Sequence, residues 1–505
     1  MLLRSKILFY LLLSLISIIG TSLVLYSTAW GPGLISDSFQ YISSARNLAS
    51  GNGLGYTIGK NIMPLVHYPP LYALVLSPFE RVGIDTIQGA RGLNAILLGV
   101  NAFLVGISIY LVTKSQGFSL LGAFLMAIQA AMIGVHSWAL SEPLYLFFLI
   151  LSFLFLGVWL EVKPNRQSRT GFVLSACCAG LAMLTRYVGV TVLFTGMLGI
   201  ALFSKIDWKR KTFELLTWSA IVTLPICLWL LRNYVLANSF TGRSVGIHLL
   251  TRKNLGVFTN QVLTWFLPSS LVNGREVILL VAFALILVGL LVFSVLVYSR
   301  AGSGARRAFL VRLSSYHPIF YLQLFYIPVY VGFVFLSKSF FDEGTGMSDR
   351  ILAPLYVSLS ITIVVLLQQA WAARNLFVRG ALLLTCFYVV IFTSFGAATA
   401  VRQLHQDGPG GAKERITSQS FTYLRSVEEV PIYSNSPSSI YLRTGNPGYS
   451  MGRFTRNYRA GTLEPGAVLV IFKHVVTNQD LPTVQAGDLT LLIDDPVATI
   501  YVYQP

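Results

Sequence analysis

The sequence predicts a polytopic α-helical membrane protein with about eleven transmembrane helices. Of its 505 residues, 54% are hydrophobic and only 11% are charged, and the mean hydropathy is +0.67. Apolar runs of about 20 residues recur along the chain, which is the length that a helix needs to cross a bilayer. A soluble globular protein is therefore excluded.

The first apolar run, residues 7–27, is too long for the core of a signal peptide and lacks a typical cleavage site. We expect it to be a retained helix, with Arg4 and Lys6 in the cytoplasm. The short connections on that side are basic, as the positive-inside rule requires. An odd number of crossings places the C-terminus outside. The other predicted spans are 91–113, 117–136, 142–160, 171–187, 188–204, 212–235, 276–298, 317–337, 351–372 and 380–400.

The net charge of +17 follows this membrane topology, so we do not expect the protein to bind nucleic acid. The cysteines lie inside apolar runs, which indicates neither a disulfide framework nor a zinc site. They are Cys177, Cys178, Cys227 and Cys386.

Two domains are predicted: a membrane domain, residues 1–400, and a small extracytoplasmic α/β domain, residues 401–505. The second has no membrane-length run and contains a candidate helix at 413–427. No internal repeat is visible, so inverted repeats of the transporter type are not supported. Strand candidates in the second domain are "VPIYSN", "GAVLVIFKH", "LTLLID" and "ATIYVY".

The first outer loop, residues 28–90, is expected to carry function, because loops of this length usually do. It is predicted to contain two helices that lie at the membrane interface. In "DSFQYISSARNLASG" apolar residues recur at helical spacing, with Ser36 or Asp37 placed to cap the start. The segment 67–79 begins with a Pro pair and continues with about ten apolar residues, too few to span.

Two acids near the outer ends of predicted helices are candidates for chemistry. Asp37 is an N-cap or a reactive carboxylate, and the two roles are compatible because a cap is held rigidly and kept ionised by the helix dipole. Glu142 is likewise a helix cap beside Pro143 or a substrate-binding group.

Three arginines lie at the outer ends of separate helices: Arg186, Arg232 and Arg350. Together they predict a cationic pocket facing a carboxylate, and a lipid phosphate suits such a pocket. The alternative is that each arginine extends to the headgroups or pairs with a nearby acid. The acids concerned are Asp342, Glu343 and Asp349. The histidines are isolated, so no structural metal is expected.

Six motifs occur in order along the membrane domain: "ISDSFQYISSARNLASGNG", "PPLY", "SEPLYLF", "LTRYVGV", "RNYVLANSFTGR" and "DRILAPLY". In this order the chain resembles the GT-C superfamily of integral-membrane glycosyltransferases. That group includes protein O-mannosyltransferases and the bacterial transferase that adds aminoarabinose to lipid A. The resemblance covers essentially the whole membrane domain.

The resemblance implies transfer of a sugar from a polyprenyl-phosphate donor to a hydroxyl of a lipid, glycan or protein acceptor on the outer face, with inversion. In that interpretation Asp37 is the general base, and Arg350, Arg186 and Arg232 bind the donor phosphate. Many relatives have an acidic pair at the first position, whereas Ser38 follows Asp37 here, so no Mg²⁺ or Mn²⁺ cofactor is firmly implied. Expected substrate-binding residues are Tyr41, His67, Tyr68, Tyr72, Glu142 and Tyr187.

Two other functions compete with this one. A transporter or flippase of lipid-linked glycans would use the same arginines, but it should carry polar groups deep in several helices. A noncatalytic membrane scaffold would tolerate Asp37→Asn. The expected location is the bacterial inner (plasma) membrane, with the active site and the C-terminal domain extracytoplasmic.

Overall fold

The structure, a computed structural model, describes residues 2–161, 166–248, 251–274, 316–341, 346–372, 376–427, 430–473, 485 and 487–504. Up to residue 274 the α-helices are α1 (Leu2–Ser27), α2 (Ser36–Ala49), α3 (Leu71–Arg81), α4 (Thr86–Thr113), α5 (Gln116–Ile128), α6 (Ala130–His136), α7 (Glu142–Glu161), α8 (Arg166–Thr185), α9 (Val190–Phe203), α10 (Trp208–Ala237), α11 (Arg252–Thr264) and α12 (Ser269–Val272).

The remaining described helices are α13 (Pro318–Phe340), α14 (Asp349–Ala372), α15 (Leu376–Asp407), α16 (Ala412–Thr417), α17 (Gln419–Ser426), α18 (Pro437–Thr444) and α19 (Met451–Arg459). A 3₁₀ turn, Tyr187–Gly189, joins α8 to α9. The strands are β1 (Gly55–Ile58), β2 (Asn61–Pro64), β3 (Ile432–Ser434), β4 (Gly448–Ser450), β5 (Val468–Phe472), β6 (Leu489–Asp494) and β7 (Ala498–Tyr503).

Seven helices of the described residues are long and apolar enough to cross a membrane, and they match predicted spans: α1, α4, α7, α10, α13, α14 and the helix that begins at Leu376. The span predicted at 117–136 is broken into α5 and α6, which are bent by 56° and raise the number to eight if they form one span. The chain is therefore a multi-pass membrane protein.

The predicted count of about eleven helices stays a prediction. The spans at 171–187 and 188–204 correspond to shorter apolar helices, Arg169–Thr185 and Tyr187–Phe203. The span at 276–298 lies outside the described residues. The orientation of the chain in the membrane also stays a prediction.

Small residues let the long helices approach closely. A Cβ at Gly99 of α4 would collide with the backbone of Ser17 on α1, and one at Gly157 of α7 would collide with Ile319 on α13. Without a strong hydrophobic drive between helices in lipid, such close packing contributes much of the association energy. These contacts hold together the bundle whose helix ends carry the site.

The first long loop folds back onto the end of the bundle. Both predicted helices are confirmed, as α2 and α3, and the hairpin of β1 and β2 lies between them. Phe39, Ile42 and Ala45 of α2 are buried. The predicted cap is wrong, because Ile35 occupies the N-cap position, and its backbone N–H donates to the Ser38 hydroxyl at 3.2 Å. Asp37 instead lies in the first turn, and its carboxylate is available for other partners.

The C-terminal segment contains a five-stranded sheet in the order β4-β3-β5-β7-β6. Its first three strands are parallel, and β7 pairs antiparallel with β5 and β6. All four predicted strands are confirmed, as β3, β5, β6 and β7. The predicted helix at 413–427 is divided into α16 and α17. That this segment is a separate extracytoplasmic domain, residues 401–505, stays a prediction.

The C-terminal segment packs against the helix that carries Asp37. Tyr441 of α18 contacts Phe39 edge to face, with 5.5 Å between ring centroids. The Arg46 guanidinium lies 5.7 Å from the centroid of the same Tyr441 ring. Tyr441 and Leu442 belong to the same apolar core as the membrane helices. The position of α2 therefore depends on both parts of the chain.

Candidate active site

Four charged side chains from four parts of the chain meet at one end of the bundle. Asp37 lies in the first turn of α2, Arg350 in the first turn of α14 and Glu142 at the start of α7. Arg186 lies where the backbone turns extended between α8 and the 3₁₀ turn. These groups meet at helix ends because a charged side chain is tolerated at the end of an apolar helix but rarely in its interior.

Arg350 links the two carboxylates. Its Nη2 donates to Oδ2 of Asp37, and its Nε donates to Oε1 of Glu142. Arg186 Nη1 lies 2.6 Å from the same Oε1 of Glu142. Glu142 is almost completely buried, and its Oε2 has no hydrogen-bond partner among the described residues. Glu142 therefore fixes the positions of the Arg186 and Arg350 guanidinium groups.

Of the predicted alternative partners of Arg350, only Asp349 lies within the described residues, and its carboxylate has other partners. Asp349 accepts hydrogen bonds from Trp265 Nε1 at 2.7 Å and from Gln261 Nε2 at 2.6 Å. Asp342 and Glu343 lie outside the described residues. Arg350 is thus directed toward Asp37 and Glu142 instead of toward lipid headgroups.

The Asp37 carboxyl is held in its ionised form. Burial raises its pKa, but the Arg350 guanidinium and hydrogen bonds from Arg350 and Tyr68 outweigh burial, so the net pKa lies below its ordinary value. The position in the first helical turn also favours a negative charge. The carboxylate is consequently ready to accept a proton.

Two tyrosines complete the surroundings of Asp37. Tyr68 donates to the Asp37 carboxylate, and burial together with that negative charge raises the pKa of Tyr68. Burial also raises the pKa of Tyr41, whose hydroxyl lies 3.0 Å from Ser141 Oγ. Their rings pack at 5.0 Å between centroids. Both hydroxyls stay protonated at neutral pH and serve as neutral hydrogen-bond groups.

These side chains face a cavity of about 350 Å³. Asp37 is the only carboxylate among its described lining residues, and the basic ones are Arg186, Arg243, Lys338 and Arg350. A space with one ionised acid beside several cations can bind an anionic group and take a proton next to it. Of the predicted site residues, the cavity brings together Asp37, Tyr41, His67, Tyr68, Arg186, Tyr187 and Arg350.

Three predicted residues do not line the cavity. Glu142 lies behind the arginines, and Tyr72 lies behind Tyr41 with its hydroxyl donating to Asn94 at 3.3 Å. Arg232 donates to the carbonyls of Leu65 at 2.7 Å and Leu54 at 2.9 Å, so its guanidinium ties down the hairpin loop. The structure does not bring Arg232 together with the other predicted phosphate ligands.

The sequence-based prediction missed several lining residues. Arg243 ends the motif "RNYVLANSFTGR", and its buried Nε has no hydrogen-bond partner among the described residues. Lys338 and Tyr330 reach the cavity from α13. Lys338 at the end of an apolar run was a usable signal, whereas nothing in the sequence separates Tyr330 from other tyrosines of that helix.

The chemistry of the site does not favour a metal. Within the described ranges no group of three or more His, Cys, Asp or Glu side chains could hold an ion. The Asp37 carboxylate has an arginine as its partner and no second acid beside it in the cavity wall. A lone carboxylate supplies too few oxygen ligands for Mg²⁺ or Mn²⁺.

Comparison with protein families gives one match. Residues 9–241 match the family PMT, dolichyl-phosphate-mannose-protein mannosyltransferase. The matched region contains Asp37, Glu142 and Arg186, but it ends before Arg243 and Arg350. None of the curated proteins matches the chain in sequence.

Solved structures with the same fold extend over nearly the whole chain. ArnT from Cupriavidus metallidurans, in the apo state, matches with a TM-score of 0.61 and 12% identity, covering 96% of this chain and 97% of that one. The same protein bound to undecaprenyl phosphate matches with a TM-score of 0.61, 13% identity and the same coverage.

A third match is the apo Archaeoglobus fulgidus oligosaccharyltransferase, with a TM-score of 0.52 and 14% identity, covering 92% of this chain and 69% of that one. The resemblance inferred from the six motifs is thereby confirmed: the chain has the fold of the GT-C integral-membrane glycosyltransferases.

Proposed function

We propose that the protein is an inverting glycosyltransferase that moves a sugar from a polyprenyl-phosphate donor to an acceptor hydroxyl on the outer face of the membrane. One observation carries this proposal. The ionised Asp37 pairs with Arg350 at the wall of a cavity whose other described charged lining residues are all basic. A base beside a binding surface for a departing phosphate is what sugar transfer from a lipid phosphate requires.

In the proposed reaction Asp37 takes the proton of the acceptor hydroxyl as that oxygen attacks the anomeric carbon. The bond from the anomeric carbon to the phosphate oxygen breaks, and the lipid phosphate leaves with the bonding electron pair on the opposite face of the sugar. Configuration at the anomeric carbon is inverted because attack and departure occur on opposite faces. The proton ends on the Asp37 carboxyl and is later lost to water.

Arg350 has two roles in this proposal. Before the donor binds, it keeps Asp37 ionised through their direct contact. The donor phosphate then competes for the same guanidinium, and as Arg350 turns toward the phosphate the pKa of Asp37 rises, because burial is the remaining large influence. A carboxylate with a higher pKa is a stronger base, so donor binding activates the proton acceptor.

Arg186, Arg243 and Lys338 are proposed to hold the phosphate with Arg350. All three line the same cavity, and an arginine offers two donors to adjacent phosphate oxygens. Charge that develops on the leaving phosphate is offset by these preplaced cations. Arg232, predicted as a phosphate ligand from the sequence, is proposed instead to fix the loop that presents His67 and Tyr68.

The kind of donor is supported by the comparisons. The matched family is named for dolichyl-phosphate mannose, and ArnT was solved bound to undecaprenyl phosphate. A lipid-linked donor also suits a site at the end of helices long enough to span a bilayer. The proposed location is the inner (plasma) membrane with the site and the C-terminal segment outside, the acceptor is a lipid, glycan or protein hydroxyl, and no cofactor is part of the proposal.

The experiment uses the purified full-length protein in detergent micelles with polyprenyl-phosphate mannose or polyprenyl-phosphate aminoarabinose, radiolabelled in the sugar. Acceptor is supplied as an extract of bacterial envelope. We expect label to move into the extract and polyprenyl phosphate to be released, and both to be lost in Asp37→Asn.

The micelle design separates the competing functions. A flippase has no membrane to move its lipid across in micelles and yields no new glycoconjugate, whereas a transferase needs only its substrates. Label that moves equally with wild type and Asp37→Asn would rule out the base. If instead neither donor reacts in micelles but wild type moves one across proteoliposomes, the transporter interpretation replaces this one.

A further inference from the structure

A second cavity, of about 310 Å³, lies where the C-terminal segment meets the start of α2. Its polar lining is contributed by Ser36, Arg415, Ser436, Ser438, Ser439 and Arg443. Ser36 belongs to this wall, whereas the neighbouring Asp37 lines the first cavity. The two cavities therefore lie on either side of the first turn of α2.

The charge in the second cavity is one-sided. Two arginines line it, and no carboxylate does so in the part of the chain that the structure describes. Arg443 Nη2 is buried, and no hydrogen-bond partner for it lies within the described ranges. A buried guanidinium with unused donors costs free energy unless an anion accepts from them.

The titration of Arg443 agrees with that geometry. Burial, together with the positive charges of Arg415 and Arg425, lowers its pKa to about 10. No nearby acid counteracts this effect among the described residues. An anion bound in the cavity would offset the free-energy cost of burying the charged Arg443 guanidinium.

A neighbouring arginine shows that the junction can supply acids where they are needed. Arg46 contacts the same α18 helix through Tyr441, yet its Nη2 lies 2.8 Å from Asp85 Oδ2 and its Nε lies 3.9 Å from Glu80 Oε2. Both guanidinium groups belong to the same junction and line one further cavity with Glu80 and Asp85, but among the described residues these carboxylates form ion pairs with Arg46 and not with Arg443. The unused donors of Arg443 therefore point to a ligand.

We propose that the cavity between α2, α16 and α18 is a second anion-binding site that takes a phosphate group. Ser36 Oγ donates to Asp37 Oδ1 at 3.3 Å, and Ser436 and Ser439 share one hydrogen bond of 2.8 Å. The two guanidinium groups and the remaining serine hydroxyls still offer more donors than a carboxylate can use, whereas a phosphate has enough acceptor oxygens for them. Phe421 and Leu442 in the same wall give apolar contact to the organic part of a phosphate ester. The site is separate from the donor cavity and does not rest on the proposed function.

The test measures binding of inorganic phosphate by calorimetry to the full-length protein in detergent, at constant ionic strength set with sodium chloride. Because the donor cavity is also basic, each measurement is repeated in an Arg350→Ala background. The variants are Arg443→Gln, Arg415→Gln and the milder pair Ser438→Ala with Ser439→Ala. Arg459→Gln, which removes the same charge from an exposed position of α19, is the matched control.

In the Arg350→Ala background we expect Arg443→Gln to weaken phosphate binding about tenfold or more, and Arg459→Gln to leave it within about twofold. Equal affinities with and without Arg443→Gln in that background overturn the proposal. If Arg443→Gln does not fold, the double serine variant decides, and unchanged affinity there overturns it as well. No phosphate binding in the Arg350→Ala background also overturns it.

Two further arms distinguish the source of the phosphate. Glycerol 3-phosphate represents a soluble ester, and nanodiscs containing phosphatidic acid represent a lipid headgroup. Arg443-dependent binding of the soluble ester alone assigns a soluble ligand, and Arg443-dependent binding of the nanodisc lipid alone assigns a membrane lipid. If the wild-type protein binds neither glycerol 3-phosphate nor the nanodisc lipid, the proposed site is contradicted.

Discussion

Arg350 donates from Nη2 to Oδ2 of Asp37, and this contact joins two residues that are 313 positions apart in the sequence. It brings the first long loop to the start of α14 and closes the wall of the cavity between them. Glu142 accepts from the same guanidinium, so the position of Arg350 is set from two sides.

Asp37→Asn should lower the transfer rate by roughly 10²–10⁴-fold, which is the usual contribution of a general base. Donor affinity should fall far less, because the phosphate contacts come from other residues. Single-turnover transfer and donor binding are measured separately. The control is Asp407→Asn, which removes an exposed carboxylate from the end of α15. If Asp37→Asn keeps the wild-type rate, or loses no more activity than Asp407→Asn, the assignment of Asp37 as the base is contradicted.

The pH profile should depend on Arg350. The proposed base acts when deprotonated, and its pKa is depressed in the free protein, so kcat/KM of wild type should hold at mildly acidic pH and fall only as the pH drops through that low pKa. In Arg350→Gln the guanidinium that lowers the pKa of Asp37 is gone, whereas burial still raises that pKa. The acidic limb should then move to higher pH, because the pKa of Asp37 rises.

The matched control for that profile is Arg402→Gln, an exposed arginine of α15. Its acidic limb should coincide with that of wild type. An unchanged limb in Arg350→Gln, measured on its residual activity, would show that Arg350 does not set the protonation of the base.

Glu142→Gln should lower stability, because a nearly buried acid then no longer compensates Arg186 and Arg350. Removing one member of a buried ion pair costs about 3–5 kcal/mol. A bound phosphate can replace the lost negative charge, so undecaprenyl phosphate should raise the Tm of this variant more than that of wild type. Thermal unfolding with and without the lipid measures both effects.

Glu464→Gln, at an exposed position of the C-terminal segment, is the control for Glu142→Gln and should leave the Tm nearly unchanged. If the lipid raises the Tm of Glu142→Gln no more than it raises that of wild type, Glu142 does not compensate the cations that bind phosphate.

Much of the candidate site could be predicted from the sequence because a charge at the end of an apolar run needs a partner. Asp37, Arg186 and Arg350 were each found in this way, and the cavity contains all three. The bilayer makes such residues rare and therefore conspicuous. The same reasoning found the long helices, since their length is set by the membrane.

Arg232 and Arg243 show where that reasoning ends. Arg232 lies near the end of α10, and Arg243 comes shortly after that helix. The direction of the Arg232 side chain depends on the hairpin loop, whose Leu65 carbonyl is 167 positions away in the sequence. The short helices α18 and α19 were also missed, because few residues of each are buried and their positions depend on packing with β3, β4 and α2. Contacts between distant segments leave no local pattern.

The two arginines should behave differently when each is changed to Gln. Arg243→Gln removes a cation from the cavity and should weaken donor binding about tenfold, with little change in Tm. Arg232→Gln removes donors to two backbone carbonyls, at a cost of about 1–3 kcal/mol, and should lower the Tm more than donor affinity. Thermal unfolding and equilibrium binding of undecaprenyl phosphate distinguish them. A larger loss of affinity in Arg232→Gln than in Arg243→Gln contradicts the assignment.

Tyr441 should control catalysis from the C-terminal segment. It packs against Phe39 and under Arg46, so Tyr441→Ala removes a buried contact from the face of α2 opposite the donor cavity. Asp37 lies on α2, whereas the proposed phosphate ligands lie on other elements. The expected result is therefore a kcat lowered about 10- to 100-fold with a much smaller change in donor affinity, because a shift of about 1 Å in the base is enough.

Hydrogen exchange of the α2 amides gives an independent measure of the same effect and should be faster in Tyr441→Ala. Tyr458→Ala is the matched control, since Tyr458 packs against Tyr503 and Phe454 within the C-terminal sheet region. If both variants lower kcat equally, the loss comes from general destabilisation of the C-terminal segment. A loss confined to Tyr441→Ala, together with faster exchange in α2, means that the C-terminal segment positions the base through this one ring.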